Sequence, residues 1–309
     1  PLPWRKKVSQ KKKEYFTLIS EFMLQQTQVV TVIPYFNRFI KNIPNIEKLS
    51  KFSDRELLKL WEGLGYYSRV RNLKKTAQIV VKDFNKRLPQ NFMDLKSLPG
   101  IGDYTASAIS AIVFNKPLIP LDGNIERVLK RFLYLKQQDQ IKKENLQHYK
   151  KVFGTSVNRS SDYAQALMEL GALICKPVNP NCELCPLLKK CKSFKNKNFN
   201  LVKLRKKDKE TFYKLNVYKK NNRYLLIKND RFNFLRNFNI FPMDELNSPK
   251  NFNKDFNFKM SNMNMNIKIE YKNKYNLGNK IYWIDPTKLQ DYTLPTFTKR
   301  IVKFLESRK

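Results

Sequence analysis

The sequence lacks any apolar run close to the roughly eighteen residues that a membrane-spanning helix needs, so no membrane span is expected. It shows no signal-peptide pattern, and cysteine is absent outside one short segment, which is typical of a protein in a reducing cytoplasm. The sequence begins at Pro1 rather than Met, and we therefore expect a preceding segment to be missing from it.

Acidic residues and glycine are also scarce. Against 61 Lys and Arg there are only 26 Asp and Glu, which gives a formal net charge of +35, and there are eight glycines in 309 residues. Such an excess of positive charge favours binding to a polyanion, and nucleic acid is the first candidate. An AT-rich genome would impose the same Lys-rich, Asn-rich and glycine-poor composition, so the charge is supporting evidence only.

All four cysteines lie between Cys175 and Cys191, with the spacing C-x6-C-x2-C-x5-C. Two disulfides here would need an oxidising compartment and would join only a local loop. Four sulfur donors with an inner C-x2-C suit zinc or an iron–sulfur cluster. The spacing alone leaves both metals open, although zinc ribbons usually carry two C-x2-C pairs and this segment has one.

The segments before the cysteines have the periodicity of helices joined by short turns. Phe16, Ile19, Met23 and Gln26 share one predicted helical face, and Glu21 lies beside it. The turn Leu98-Pro-Gly-Ile-Gly102 separates two predicted helices, and a glycine turn that enters a helix N-terminus can bind phosphate. This helix-hairpin-helix pattern indicates a grip on the DNA backbone without base reading, and the alternative is an ordinary turn.

The part of the chain after the cysteines has a different texture. Residues 193–210 form a basic segment that we interpret as a linker. Four short apolar runs then predict strands near residues 212–218, 224–227, 267–271 and 281–284, and a helix is expected at 296–306. Residues 211–309 are therefore predicted to form a small α+β domain.

Five segments together resemble the MutY family of adenine DNA glycosylases, in the helix-hairpin-helix superfamily that includes endonuclease III. They are Glu21-Phe-Met-Leu-Gln-Gln-Thr-Gln-Val29, Gly63-Leu-Gly-Tyr-Tyr-Ser-Arg69, Leu98–Gly102, Leu121-Asp-Gly-Asn124 and the four-cysteine segment. The resemblance implies a mainly α helix-hairpin-helix glycosylase domain with an iron–sulfur loop over residues 1–192, and a Nudix-like α+β domain over 211–309. It also implies one 4Fe–4S cluster, with zinc as a minor alternative, on Cys175, Cys182, Cys185 and Cys191.

The activity that the resemblance implies is removal of adenine mispaired with 8-oxoguanine or guanine. Breaking an N-glycosidic bond calls for two carboxyl groups, one protonated and one ionised. Glu21 lies among apolar residues and suits the protonated role, because desolvation disfavours its charge. Asp122 precedes a predicted helix, where the helix dipole favours an anion, although read alone it is an ordinary N-cap.

Two further residues complete the implied catalytic set. Tyr104 stands where bifunctional relatives carry a lysine nucleophile, so no Schiff base is expected and the enzyme is monofunctional. Tyr104 and Asn124 are expected to support the two carboxyl groups by hydrogen bonds. The expected general acid is Glu21, which protonates the adenine and later activates water, while Asp122 stabilises or captures the sugar.

The same resemblance implies that an adenine is flipped out of double-stranded DNA at an adenine mismatch. Gln26 and Tyr66 are expected to wedge into the base stack, although Tyr66 could also be a core aromatic. The residues expected to contact DNA or the lesion are Gln26, Tyr66, Gly100, Gly102, Trp4, Arg5 and Ser261. Asn262 stands after Ser261 where the family commonly has histidine, and no glutamate cluster of a Nudix hydrolase is present.

A monomeric protein associated with the nucleoid and without a membrane contact is the expected setting. Two alternatives stay open from the sequence. One is an endonuclease III-like glycosylase of other specificity, which Tyr104 and the C-terminal domain disfavour. The other is a DNA-binding iron–sulfur protein without catalysis, in which Glu21 and Asp122 would have no role.

Overall fold

The computed structural model describes residues 2–136, 139–141, 159–199, 208–247, 251–274 and 281–308. The chain divides into two compact units. The first comprises Pro1–Phe52 and Ser68–Arg205, and the second comprises Ser53–Tyr67 and Lys206–Lys309. The predicted linker at 193–210 stays a prediction, because residues 200–207 fall outside the described part. No helix among the described residues is long and apolar enough to cross a membrane.

The first unit is helical, as predicted. Its helices, within the described ranges, are α1 (Gln10–Leu24), α2 (Val29–Asn42), α3 (Ile46–Lys51), α5 (Ser68–Asp83), α6 (Phe92–Ser97), α7 (Asp103–Phe114), α8 (Gly123–Leu133), α9 (Ser160–Glu169) and α10 (Lys192–Lys195). A 3-10 turn at Pro3–Arg5 precedes α1, and a π-helical turn at Leu170–Ile174 continues α9 towards the cysteines.

Helix α1 runs through the centre of this unit. Of the predicted apolar face, Ile19 and Met23 are inaccessible to solvent and Phe16 is half-buried. Leu18 and Phe22, which were not part of the predicted face, are equally inaccessible, so burial extends over more of the helix than one face. The expectation that Gln26 continues this face was wrong. The helix ends at Leu24, and Gln26 follows with a left-handed backbone at φ 55°.

The second unit is α+β, as predicted. Its strands are β1 (Lys209–Val217), β2 (Lys219–Lys220), β3 (Arg223–Lys228), β4 (Asn239–Ile240), β5 (Met243–Leu246), β6 (Phe256–Met260), β7 (Met263–Tyr271) and β8 (Ile281–Ile284). One sheet has the order β5-β1-β7-β6, with β1 parallel to β7 and the other pairs antiparallel. A second sheet joins β2, β3 and β4, and β8 also pairs with β3.

Two helices accompany these sheets. Helix α11 (Thr296–Ser307) contributes Phe297 and Ile301 to the same apolar core as Leu215 of β1 and Ile267 of β7. Helix α4 (Asp54–Leu60) belongs to the early segment of this unit. Ser53 is the N-cap of α4, since its hydroxyl accepts the Glu56 amide at 3.5 Å.

Candidate active site

A buried carboxylic acid lies at the centre of the first unit. Glu21 on α1 is 5% exposed, and the Tyr104 hydroxyl of α7 donates a hydrogen bond to it. Burial raises the pKa of Glu21 to about 7; the Asp122 charge adds to the rise, while Arg5 and the Tyr104 hydroxyl oppose it. Burial, followed by the charges of Glu21 and Asp122, also raises the pKa of Tyr104 well above its ordinary range. Glu21 can therefore carry a proton near neutral pH.

A second carboxyl group, at the start of α8, acts electrostatically on the first. Asp122 Oδ1 accepts the amides of Asn124 at 3.0 Å and Ile125 at 2.7 Å, and Oδ2 accepts the Asn124 side-chain amide at 3.2 Å. These hydrogen bonds make Asp122 the N-cap of α8 and fix the orientation of its carboxyl group. The structure brings Glu21, Asp122, Tyr104 and Asn124 together.

Asn124 contacts a buried arginine, Arg127, that no sequence pattern marks as a site residue. Arg127 Nη2 donates to Asn124 Oδ1 at 2.9 Å and to the Gly171 carbonyl at 2.6 Å, and Nε donates to the Cys175 carbonyl at 2.8 Å. Gly171 permits this approach, because a Cβ there would lie 2.8 Å from the Asn124 Cβ. The hydrogen bonds therefore run from Asp122 to the backbone of the first cysteine.

The N-terminal turn carries the two predicted pocket residues. Trp4 is 9% exposed and packs edge-on against Phe36 of α2, with ring centroids 5.3 Å apart. Arg5 forms a short ion pair with Glu169 at the end of α9. Burial raises the pKa of Glu21, and the positive charge of Arg5 opposes part of that rise.

The end of α1 is held by Arg69, the last residue of the Gly63–Arg69 segment. Its buried guanidinium donates to the carbonyls of Phe22 at 3.1 Å, Met23 at 2.7 Å and Gln25 at 2.6 Å. These carbonyls belong to the negative end of the helix, which offsets part of the cost of burying a cation. The clamp fixes the turn in which Gln26 is exposed.

The predicted hairpin connects α6 to α7. Gly100 and Gly102 are both exposed. Gly100 has φ 81°, and a Cβ there would lie 2.9 Å from side-chain atoms of Asn72 and Phe22, so this position requires glycine. The Gln25 side chain donates to the Gly100 carbonyl at 3.2 Å, which ties the hairpin to the end of α1.

Two predicted contact residues belong to the second unit. Tyr66 is 40% exposed and has a left-handed backbone at φ 47°. Ser261 is exposed in the two-residue turn between β6 and β7, with φ 56°, and Met260 pairs with Met263 across this turn. The Asn262 carbonyl accepts the Lys209 amide at 2.7 Å, which fastens the turn to the start of β1.

The four cysteines, none of which is disulfide-bonded, line one cavity together with Arg131. Arg131 Nη1 donates to the Cys175 sulfur at 3.5 Å, and Cys191 lies against the Arg131 carbonyl at 3.7 Å. Burial raises the pKa of Cys182, and the other three sulfurs add to the rise. Four sulfur donors and a buried arginine therefore surround one cavity.

The chemistry of these donors suits a metal group. Four cysteine sulfurs around one cavity are the donor set of a structural zinc site or of a 4Fe–4S cluster. Among the described residues, no group of three or more His, Cys, Asp or Glu side chains is arranged to hold a single metal ion.

Three of the residues described above escaped the sequence reasoning for a common reason. Arg127, Glu169 and Gly171 act through contacts with residues far away in the chain, and no local pattern marks them. The only available signal was position: Glu169 and Gly171 directly precede the cysteine segment, and Arg127 follows Asp122 by little more than one helical turn.

Comparison with known proteins gives a consistent result. A family model described as HhH-GPD superfamily base excision DNA repair protein matches residues 19–153. The adenine DNA glycosylase of Buchnera aphidicola subsp. Schizaphis graminum is 40% identical over 245 residues, which cover 78% of this chain and 70% of that protein. The adenine DNA glycosylase of B. aphidicola subsp. Baizongia pistaciae is 35% identical over 325 residues, covering 97% and 91%. The structure of a thermostable thymine-DNA glycosylase is similar at a TM-score of 0.54 and 26% identity, covering 63% of this chain and 89% of that one.

Proposed function

Because this chain belongs to the adenine DNA glycosylases of the HhH-GPD superfamily of base excision repair proteins, we propose that it excises adenine opposite 8-oxoguanine or guanine. The partner is DNA, and the reaction is hydrolysis of an N-glycosyl bond. The observation that carries the proposal is the buried Glu21, whose pKa is raised to about 7 within the field of Asp122. Two carboxyl groups in unlike environments are what this chemistry needs.

Glu21 acts first, as the general acid. It protonates an imidazole-ring nitrogen of the adenine, so that the base leaves as a neutral species. The same carboxylate then takes a proton from the attacking water. Proton transfer of this kind contributes about 10²–10⁴-fold to a rate. Tyr104 orients Glu21 through its donated hydrogen bond.

Asp122 acts on the sugar. As the base departs, positive charge develops on the deoxyribose ring, and a fixed carboxylate nearby stabilises that charge. The amides of Asn124 and Ile125 hold Asp122 in one orientation, so little reorganisation is needed at the moment of reaction. Asn124 and Arg127 act as positioning residues for Asp122.

The adenine must leave the helix before it can react, and flipping a base costs a few kcal/mol. Gln26 and Tyr66 wedge into the stack from exposed, left-handed positions that keep their side chains outside the core. The Gly100 and Gly102 amides bind phosphate, Trp4 and Arg5 line the adenine pocket, and Ser261 contacts the opposing lesion. Excision without strand cutting follows from Tyr104, which offers no amine for a Schiff base.

We assign Cys175, Cys182, Cys185 and Cys191 as ligands of one 4Fe–4S cluster. When bound, such a group orders the loop and offsets the charge of its thiolates, and it takes no part in breaking the base–sugar bond. Lys189, Lys190 and Lys192 are exposed beside it and suit DNA phosphates. The purified protein should contain about four iron atoms per chain and absorb near the violet edge of the visible range; stoichiometric zinc without iron would contradict the assignment.

The activity is tested by single-turnover release of adenine from duplexes that hold adenine opposite 8-oxoguanine, guanine or thymine. We expect release opposite 8-oxoguanine and guanine, slower or absent release opposite thymine, and intact strands until an abasic-site cleavage step is applied. Release of thymine rather than adenine, or no release from any duplex, would contradict the proposal. A monomer that works in the nucleoid-containing cytoplasm is the setting we propose for this reaction.

A further inference from the structure

The Gly63–Tyr67 turn exposes one tyrosine and buries the next. Tyr66 is 40% exposed, whereas Tyr67 is 6% exposed. Gly63, Gly65 and Tyr66 all have left-handed backbones, with φ of 95°, 75° and 47°. Such a conformation is uncommon for a bulky side chain and persists only where the surroundings enforce it. The residues that enforce it therefore determine where the Tyr66 ring points.

Part of the enforcement is local. The fully buried Trp61 donates its indole N–H to the Gly65 carbonyl at 3.1 Å, and its own carbonyl accepts the Leu64 amide at 3.1 Å. Together these bonds close the turn on itself. They do not fix its orientation, since both partners belong to the same short segment.

Orientation comes from two residues near the other end of the chain. Tyr67 packs on Phe238, which directly precedes β4, with ring centroids 4.3 Å apart and planes inclined by 43°. Glu62 forms a short ion pair with Lys299 on α11, and the two side chains are only 17% and 20% exposed. A partly buried pair is screened less by solvent than a surface pair, so it can hold the turn in place. Both contacts lie within the second unit.

We infer that Phe238 and Lys299 are positioning residues for Tyr66. The C-terminal region therefore has a second task besides contact with the lesion, since it holds the turn that inserts Tyr66 into the base stack. The inference rests on the proposed function, in which Tyr66 acts as a wedge. When the turn is released, the wedge no longer offsets the cost of flipping, and fewer complexes hold an extruded adenine.

This task differs from lesion reading in a measurable way. A group that reads 8-oxoguanine affects excision opposite 8-oxoguanine more than excision opposite guanine. A group that positions the wedge affects both substrates, because either mismatch must be opened. The chemistry on the flipped base stays unchanged, so the pH profile of the rate keeps its shape.

Lys299→Met is the test variant, and Lys303→Met is its matched control, because Lys303 is exposed on the same helix one turn further on. Flipping is followed by the fluorescence of 2-aminopurine placed beside the adenine, and excision by single-turnover kinetics. We expect Lys299→Met to lower the fluorescence rise and to slow excision roughly tenfold opposite both 8-oxoguanine and guanine, which corresponds to about 1.4 kcal/mol. Lys303→Met should match the unaltered protein. Equal behaviour of the two variants would overturn the inference.

An exchange variant guards against a merely structural effect. Combining Glu62→Lys with Lys299→Glu restores the ion pair with reversed polarity, and we expect it to recover most of the fluorescence rise. Phe238→Ala should slow excision when Tyr66 is present, and it should cause no further loss of rate in a protein that already carries Tyr66→Ala. If the double variant lost rate by the product of the two single losses, the positioning role would be contradicted. Because the fluorescence reports flipping without excision, it decides this role even if the unaltered protein released no adenine, a result that would overturn only the proposed function.

Discussion

At the scale of single residues, the side chain of Glu21 differs from the other glutamates through its surroundings. It is only 5% exposed, and the charge of Asp122 adds to the cost of ionising it. A carboxyl group in water would release its proton far below neutral pH. The protein therefore gives up stability at this position in order to keep a proton available near pH 7.

That cost can be measured in the absence of DNA. Folding raises the pKa of Glu21 from 4.5 to about 7, so its favourable contribution is complete below pH 4.5 and is lost as pH rises to about 7. Glu21→Gln cannot ionise. Its free energy of unfolding relative to the unaltered protein should therefore increase between pH 5 and pH 8, by up to about 3 kcal/mol in urea titrations.

The control for this change is Glu183→Gln, which removes one negative charge from an exposed position. Its free energy of unfolding should track that of the unaltered protein over the same pH range. A difference between Glu21→Gln and the unaltered protein that stays constant with pH would mean that Glu21 ionises as freely as an exposed glutamate.

At the scale of elements, the approach of the π-helical turn to α8 positions the second carboxyl group. Gly171 lies so close to Asn124 that a Cβ would come within 2.8 Å of the Asn124 Cβ and 3.1 Å of its backbone. Asn124 in turn donates to Asp122. Any side chain at position 171 must therefore displace the residue that orients Asp122.

Two glycine-to-alanine changes separate this effect from general helix energetics. Gly171→Ala should slow adenine excision by about tenfold or more and lower the melting temperature by several degrees. Gly123→Ala, at the first residue of α8, meets no atom within 4 Å and should leave both quantities nearly unchanged. Single-turnover kinetics and thermal unfolding of the two variants give the comparison. Equal rates for both variants would show that Gly171 does not position Asp122.

Much of the element structure could be predicted from the sequence. Apolar periodicity gave the long helices, and the position of Asp122 before Gly123 gave the start of α8. Strands β2 and β4 could not be predicted, because two residues carry no periodicity, and in β5 two successive acidic residues interrupt the apolar ones. Strand β6 alternates over five residues and was nonetheless not predicted. The predicted helical face extended to Gln26, whereas α1 ends at Leu24. Arg69 binds the carbonyls at this end of the helix, and no sequence pattern near Leu24 indicates that contact.

The site was predictable to a similar extent. Glu21, Asp122, Tyr104 and Asn124 were chosen by residue chemistry and by resemblance to a family, and the structure places them within reach of one another. Their supporting residues were not predictable. Those residues act through tertiary contacts, which a single sequence does not encode at any fixed spacing.

At the scale of the whole molecule, asparagine occupies many left-handed turn positions in a chain that has little glycine. The chain has eight glycines, yet many turns need a left-handed backbone. Asparagine tolerates that conformation better than most residues do. Among the described residues it takes left-handed positions at Asn85, Asn115, Asn179, Asn221, Asn222, Asn237 and Asn251. Where a close contact forbids any Cβ, as at Gly100, glycine is kept.

The grouping of Ser53–Tyr67 with the C-terminal residues also emerges only at this scale. The sequence predicts one helical domain over residues 1–192, because no local pattern marks the contact of Tyr67 with Phe238 or that of Glu62 with Lys299. The formal charge of +35 favours DNA binding, but an AT-rich genome would produce the same charge through amino-acid composition alone. The assignment of function therefore depends on the two carboxyl groups and not on the charge.

The measurement that tests this dependence most directly is the pH profile of single-turnover adenine release from a duplex with adenine opposite 8-oxoguanine, for the unaltered protein and for Glu21→Gln. The unaltered rate should fall about tenfold per pH unit above pH 7, as Glu21 loses its proton. Glu21→Gln should be slower by about 10²–10⁴-fold at neutral pH and should lose this decline. A Glu21→Gln rate within about threefold of the unaltered rate, with the same decline above pH 7, would contradict the account.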